Sequence, residues 1–206
     1  MNVPGISGSL RTASVSTALL KTAATRMPGH VKLTIYDGLG NLPHFNPEID
    51  TEFPPPPVSD FRSQLNNSAG VIISTPEYAH GIPGVLKNAL DWLVASGELY
   101  EKPVALFSAS PRGRFAHASL IETLMVMMAR LIPEAFINVS PPLEMGNGEL
   151  QVTATADLFT RVERAVAVFA KAIDLPYSES NLRPVQTKII VSLNRVLRSG
   201  RPVTAG

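Results

Sequence analysis

The chain has 206 residues, 45% of them hydrophobic and 17% charged, with a formal net charge of +1 and no cysteine. That length suits one sizeable α/β domain, and the composition is that of a globular protein rather than a disordered or fibrous one. Near-zero charge removes any bulk attraction to nucleic acid or an anionic membrane, and the missing cysteines exclude disulfides, thiolate nucleophiles and thiolate metal ligands. No apolar run reaches the ~18 residues that a membrane span needs. The opening Met1-Asn2-Val3-Pro4 has no basic region followed by an apolar stretch, so the expectation is a soluble, cytoplasmic protein without a signal peptide.

The first strand is expected over 3–6, with Pro4 an awkward residue there because it removes a ladder donor. An amphipathic helix follows over about 14–27. Residues 31–36 alternate, with Val31, Leu33 and Ile35 on one side, as an edge strand does. Residues 41–59 hold Pro43, Pro47 and the run from Pro54 to Pro57, and read as a stiff loop leading to a short helix over 60–67. The runs 70–74 and 104–108 are continuously apolar, the pattern of strands buried on both faces. Between them a helix over 85–93 aligns Leu86, Leu90 and Leu93. A fourth helix carries Leu120, Leu124, Met127 and Leu131, a fifth strand covers 136–139, and a fifth helix aligns Leu158, Val162, Val166, Phe169 and Ile173. Strict alternation of this kind predicts an α/β doubly wound, five-stranded parallel sheet with helices on both faces. The fold then occupies 1–177. Residues 178–206 form a C-terminal extension, with one basic amphipathic helix over about 185–197 and a frayed end.

In open α/β sheets, ligands bind at the carboxyl ends of the strands. Three loops there have unusual composition. The first, Gly5-Ile6-Ser7-Gly8-Ser9-Leu10-Arg11-Thr12-Ala13-Ser14-Val15-Ser16-Thr17, combines hydroxyls, one arginine and a helix start, the donors that a phosphate monoester requires. Helix capping explains one serine but not all of them together with Arg11. The loop lacks the Gly-Lys-Ser/Thr ending of a Walker loop and has two of the three glycines of a dinucleotide fingerprint. Asp37 after the second strand would suit a ribose-binding acid, so a Rossmann-type NAD(P) dehydrogenase stands as an alternative.

The second loop, Thr75-Pro76-Glu77-Tyr78-Ala79-His80-Gly81-Ile82-Pro83-Gly84, continues as Val85-Leu86-Lys87-Asn88-Ala89-Leu90-Asp91-Trp92-Leu93. This stretch resembles the signature of the NADPH-dependent FMN reductase family: Pro-Glu-Tyr, a few small or polar residues, Pro-Gly, then a helix with Leu-Lys-Asn-Ala and Asp-Trp. The first loop resembles that family's Gly-Ser-Leu-Arg motif. The similarity runs over about 3–172 and implies a flavodoxin-like fold, bound FMN, and NAD(P)H as co-substrate. By the resemblance, Ser9, Arg11, Ser16 and Thr17 would hold the FMN phosphate. Pro76, Glu77, Tyr78 and Ala79 would line the isoalloxazine edge, mostly through backbone groups. Tyr78 reads equally as a half-buried packing aromatic. The chain departs from the family where Ala79 replaces an asparagine and where His80 takes a small residue's place; His80 is either a flavin neighbour or a solvated loop histidine.

The third loop, Ser108-Ala109-Ser110-Pro111-Arg112-Gly113-Arg114-Phe115-Ala116-His117-Ala118, would run past the flavin through Ser108, Ser110 and Gly113. The family's loop is glycine-rich, whereas here only Gly113 remains. Its arginines would stabilise reduced flavin, receive the NADPH phosphate, or sit in solvent. No catalytic side chain and no metal are expected, since the flavin carries the chemistry. The resemblance implies an oxidoreductase passing electrons to a small acceptor: a quinone, an azo compound, a metal oxyanion or free flavin. A homodimer or homotetramer is expected, meeting through Trp92, Leu93, Tyr100 and the run from Met125 to Met128. A non-catalytic flavodoxin-like electron carrier or binding module is the alternative, although such carriers are strongly acidic and this chain is not.

Overall fold

The computed structural model describes residues 1–108, 114–139, 143–146, 149–152 and 155–175. β1 (Asn2–Ser7) leads through α1 (Val15–Ala24) to β2 (Lys32–Tyr36). There follow α2 (Pro56–Asn66), β3 (Val71–Thr75), α3 (Gly84–Asp91), β4 (Pro103–Ser108) and α4 (Arg114–Val126). Two short strands, β5 (Arg130–Leu131) and β6 (Ile137–Asn138), precede a hairpin of β7 (Leu143–Gly146) and β8 (Glu149–Val152), and α5 (Ala156–Asp174) comes last. The main sheet is parallel in the order β2-β1-β3-β4-β5, with β6 also on β4. This is the doubly wound, flavodoxin-like order that strict β/α alternation implies.

Both faces of the sheet are covered. Adjacent β3 residues serve opposite cores, because successive side chains of a strand point to opposite faces. Ile72 joins Leu19 and Leu20 of α1 and Val162, Val166 and Phe169 of α5. Ile73 joins Phe61 and Leu65 of α2, Leu86 and Leu90 of α3, and Leu120 and Leu124 of α4. Each fully buried Leu, Val or Phe contributes about 1.5–3 kcal/mol relative to exposure. Gly70 marks one tight point: a Cβ there would lie 2.8 Å from Phe169 and 3.0 Å from the Pro103 carbonyl oxygen, so α5 approaches the sheet where only hydrogen fits.

Several expectations need correction. β1 starts at Asn2 and takes Pro4 within it, opposite Thr34 of β2, while the ladder to β3 begins only at Gly5. The proline is thus in register with Thr34 alone and lies before the ladder to β3. The prolines at 56 and 57 do not belong to a loop but open α2, since the first helical positions need no amide donor. The fifth strand position is split: β5 pairs with Pro103 and Val104, β6 with Phe107 and Ser108, and a short 3₁₀ turn over Pro133–Ala135 separates them. The antiparallel β7–β8 hairpin was not expected at all; β8 lies beside α1. Trp92 and Leu93 are buried in their own subunit rather than offered to a partner. Trp92 Nε1 and Asn88 Nδ2 both donate to the Pro43 carbonyl at 2.9 Å, and Phe45 meets the indole edge-on at 5.1 Å. The loop before α2 is thus anchored on α3. The extension 178–206 lies outside the described residues.

α4 also buries His117, which sits edge-on to Phe136 at 5.3 Å with its Nε2 making no hydrogen bond. Burial without a partner disfavours the imidazolium and pushes the pKa down to about 4 from 6.5. As pH falls below about 6.5 the unfolded chain takes up this proton before the folded one does, so stability is lost down to about pH 4 and not further. The loss is on the order of 3 kcal/mol. Urea titrations across that range should show a His117→Phe variant losing less stability on acidification than the wild type by about this amount; parallel profiles would refute the assignment.

Candidate functional site

At the carboxyl edge, β1 passes into its loop at Gly8, whose amide donates to the Ser74 carbonyl of β3 at 2.8 Å. A methyl on Gly8 would stand 2.7 Å from the Thr75 hydroxyl, so the first and second loops touch at their base and tolerate only glycine there. The hydroxyls then divide their work. Ser14 caps α1, its Oγ accepting from the Thr17 amide at 3.3 Å. Thr17 Oγ1 donates to Ser7 Oγ at 2.8 Å, closing the loop on the helix, and Ser16 is buried in the first turn. Ser9 is half-buried at the lip, its amide against Ser7 Oγ at 3.4 Å and its Oγ accepting from the Arg11 amide at 3.4 Å. Arg11 itself is exposed. A rigid base, a half-buried hydroxyl, a helix start and an accessible guanidinium remain for a ligand, and this donor set fits a phosphate monoester such as that of FMN.

The second loop turns tightly. Tyr78 and Gly81 exchange two backbone hydrogen bonds, at 3.0 and 2.9 Å, with Ala79 at φ 48° and His80 at φ 62°. Two consecutive left-handed residues define a type I′ turn, which ordinarily takes asparagine or glycine. Ala79 and His80 therefore carry strain of the kind that collects at functional sites. Tyr78 is 50% exposed at this turn, so half of its surface is covered. Pro76 and Glu77 are half-buried, and Pro83 is buried immediately before α3.

Two side chains of this loop reach the start of α4. Glu77 Oε2 accepts from the amides of Phe115 and Ala116, both at 2.8 Å. The His80 ring stacks on Phe115, with centroids 4.4 Å apart and planes 28° apart. His80 is therefore neither a purely solvated histidine nor an isolated one. The Arg114 guanidinium lies 4.6 Å from the same phenyl centroid. Ser108 is buried opposite Thr75 in the ladder, while Ser110, Arg112 and Gly113 lie outside the described residues. Sequence reasoning overlooked Gly8, Phe115 and the Glu77 carboxylate's use. The absence of a capping residue in Pro111-Arg112-Gly113 was the available signal for the last of these.

The NADPH-dependent FMN reductase family matches residues 1–141, a span that takes in all three loops. The chain belongs to that family. It is 37% identical over 120 residues to the NAD(P)H-dependent FMN reductase of Pseudomonas aeruginosa, a stretch covering 57% of this chain and 64% of that protein. Identity to a quinone reductase of Pseudomonas putida is 31% over 159 residues, or 72% of this chain and 84% of that one. Among solved structures it resembles FerB, a flavoenzyme NAD(P)H:(acceptor) oxidoreductase from Paracoccus denitrificans, with TM-score 0.70, 26% identity, and 82% and 97% of the two chains covered. An archaeal flavodoxin, at TM-score 0.57 and 11% identity, shares the fold. The protein is therefore a flavoprotein oxidoreductase of the NAD(P)H-dependent FMN reductase type, with FMN as cofactor and NAD(P)H as co-substrate.

The strain at Ala79 has a measurable sign. Ala79→Gly should raise the unfolding free energy of the FMN-free protein by about 0.5–1 kcal/mol, and Ala79→Val should lower it. Denaturant titration of the pair that returned the opposite order would show that the turn does not hold residue 79 in the left-handed region.

Proposed function

We propose that this chain binds one FMN across the β1 and β3 loops and passes electrons from NAD(P)H to a small planar acceptor of the quinone class. The observation that carries the reading is the junction of the two loops at Gly8, Ser74 and Thr75, with the half-buried Ser9 and exposed Arg11 on its open side. On this reading Ser9 and Arg11 receive the phosphate at the start of α1, and Ser16 and Thr17 form the first turn that supports it. The backbone of Pro76, Glu77, Tyr78, Ala79 and His80 meets the edge of the flavin ring, and Ser108, Ser110 and Gly113 border it from the third loop. Bound FMN would supply the redox chemistry, with a hydride from NAD(P)H and one proton from solvent accounting for the two electrons and two protons that a quinone takes up. The protein's part is to hold charge and geometry: Arg11 offsets the phosphate, and the turn at 78–81 presents fixed amide donors and acceptors. Quinone reduction is favoured among the family's acceptors because a relative matched over 84% of its own length carries that name.

Residues Tyr100, Val126 and Met128 are 54%, 78% and 57% exposed, and the Glu101 amide donates to the Met128 carbonyl at 2.9 Å. This apolar surface at the end of the sheet away from the loops supports a homo-oligomer, replacing Trp92 and Leu93 in that role. A cytoplasmic location is consistent with a chain that lacks cysteine and in which, among the described residues, no helix is long and apolar enough to cross a membrane. The net charge of +1 gives no reason to expect nucleic acid as a partner. The extension 178–206 is proposed to be dispensable for FMN, because α5 already completes one of the two cores.

Arg11→Ala should weaken FMN binding by about 1.5–3 kcal/mol, the range for a hydrogen bond to a charged group, in flavin fluorescence titrations; unchanged affinity would move the phosphate elsewhere. FMN-loaded protein should oxidise NADH or NADPH with a benzoquinone acceptor and give parallel double-reciprocal lines. A loaded protein that oxidises neither nucleotide would favour an electron carrier. Sedimentation at micromolar concentration should return at least twice the monomer mass, and Val126→Asp with Met128→Asp should shift it toward the monomer.

A further inference from the structure

The start of α4 has no capping side chain of its own: the three residues before Arg114 are Pro111, Arg112 and Gly113, none of them a side-chain acceptor. Its orphan amides are instead met from 38 residues upstream, where the Glu77 carboxylate takes the hydrogen bonds of both Phe115 and Ala116 at 2.8 Å. A carboxylate at this place also answers the positive end of the helix dipole. A second contact runs in parallel, the His80 imidazole stacked on Phe115. Glu77 and His80 flank Tyr78 and Ala79, so both ends of the strained turn are tied to one helix start.

The ring contact on Phe115 also opposes the cost of a left-handed His80.

We propose that Glu77 and His80 are positioning residues, which clamp the start of α4 onto the second loop so that the ring-binding turn and the third loop's anchor form one rigid body. The inference rests on the reading that the flavin ring lies along 76–80. Its consequence is that neither side chain is a flavin contact: both point to α4 and leave the loop's backbone to the cofactor. Loss of the clamp should loosen the turn and the helix start together, disturbing ring placement more than phosphate binding.

Two measurements separate the clamp from the functional reading. In the FMN-free protein, hydrogen exchange of the Phe115 and Ala116 amides should quicken by about tenfold or more in Glu77→Ala, and by less in Glu77→Gln, which keeps a carbonyl acceptor. His80→Ala should quicken the same amides, and the double variant more than either single one. In the FMN-loaded protein, Glu77→Ala should shift the visible flavin spectrum and raise the KM for quinone by about tenfold with a smaller change in kcat, and Glu77→Gln should recover part of both. Unchanged exchange in Glu77→Ala would overturn the clamp. Faster exchange with an unaltered spectrum and KM would overturn the positioning role while leaving FMN binding intact. Wild-type protein that takes up no FMN would instead sink the functional reading, and with it the positioning role, while the exchange data would still report the contact.

Discussion

The site exists because β1 has β2 on one side and β3 on the other. The chain leaving β1 enters α1, which packs in one core, and the chain leaving β3 enters α3, which packs in the other. Two adjacent strands that send their connections to opposite faces must open a crevice between those connections. The crevice is only as narrow as the closest approach at its floor, and that approach is the Gly8 amide on the Ser74 carbonyl with Thr75 pressed against the glycine. Any side chain at position 8 would wedge the floor apart. Loop composition above the floor then decides what the crevice takes.

Electrostatics follow from where Glu77 spends its charge. An acid that faced the crevice would weaken its attraction for a phosphate. Its two hydrogen bonds to α4 amides satisfy it locally, and the helix dipole absorbs part of the remaining field. Arg11 is left as the exposed charge of the first loop.

The sheet and its helices were legible because they are written in strong periodic signals. Ile72 and Ile73 lie in an unbroken apolar run, and Val162, Val166 and Phe169 recur at helical spacing, so burial on two faces and on one face are distinguishable in letters alone. The first turn of α2 was not legible, since prolines signal a loop and the first helical position equally. Strands of two residues, such as β5 and β6, are too short to show a period. Trp92 looked like an exposed helix end because the segment that covers it, around Pro43 and Phe45, is distant in sequence and irregular. In the site, the serines and Arg11 were readable as a donor set, but their division into cap, closure and lip depends on distances that composition does not carry. The partner of Glu77 was hidden for the same reason: a cap supplied from another loop leaves no local pattern.

The three loops differ in how much freedom the cofactor allows them. On the proposed placement, the first loop must match a phosphate and the second must match the fixed edge of a flavin, so both are constrained by one molecule. On the same placement the start of α4 would border the side from which an acceptor approaches, where no fixed ligand edge has to be matched. A loop free to vary in composition still has to be held in place, because an acceptor reacts only when it stacks within contact of the ring. Here the start of α4 is held by side chains of the second loop, Glu77 on the amides and His80 on Phe115. On the proposed placement, a change at position 77 or 80 would therefore alter the acceptor face through the start of α4 without touching the acceptor.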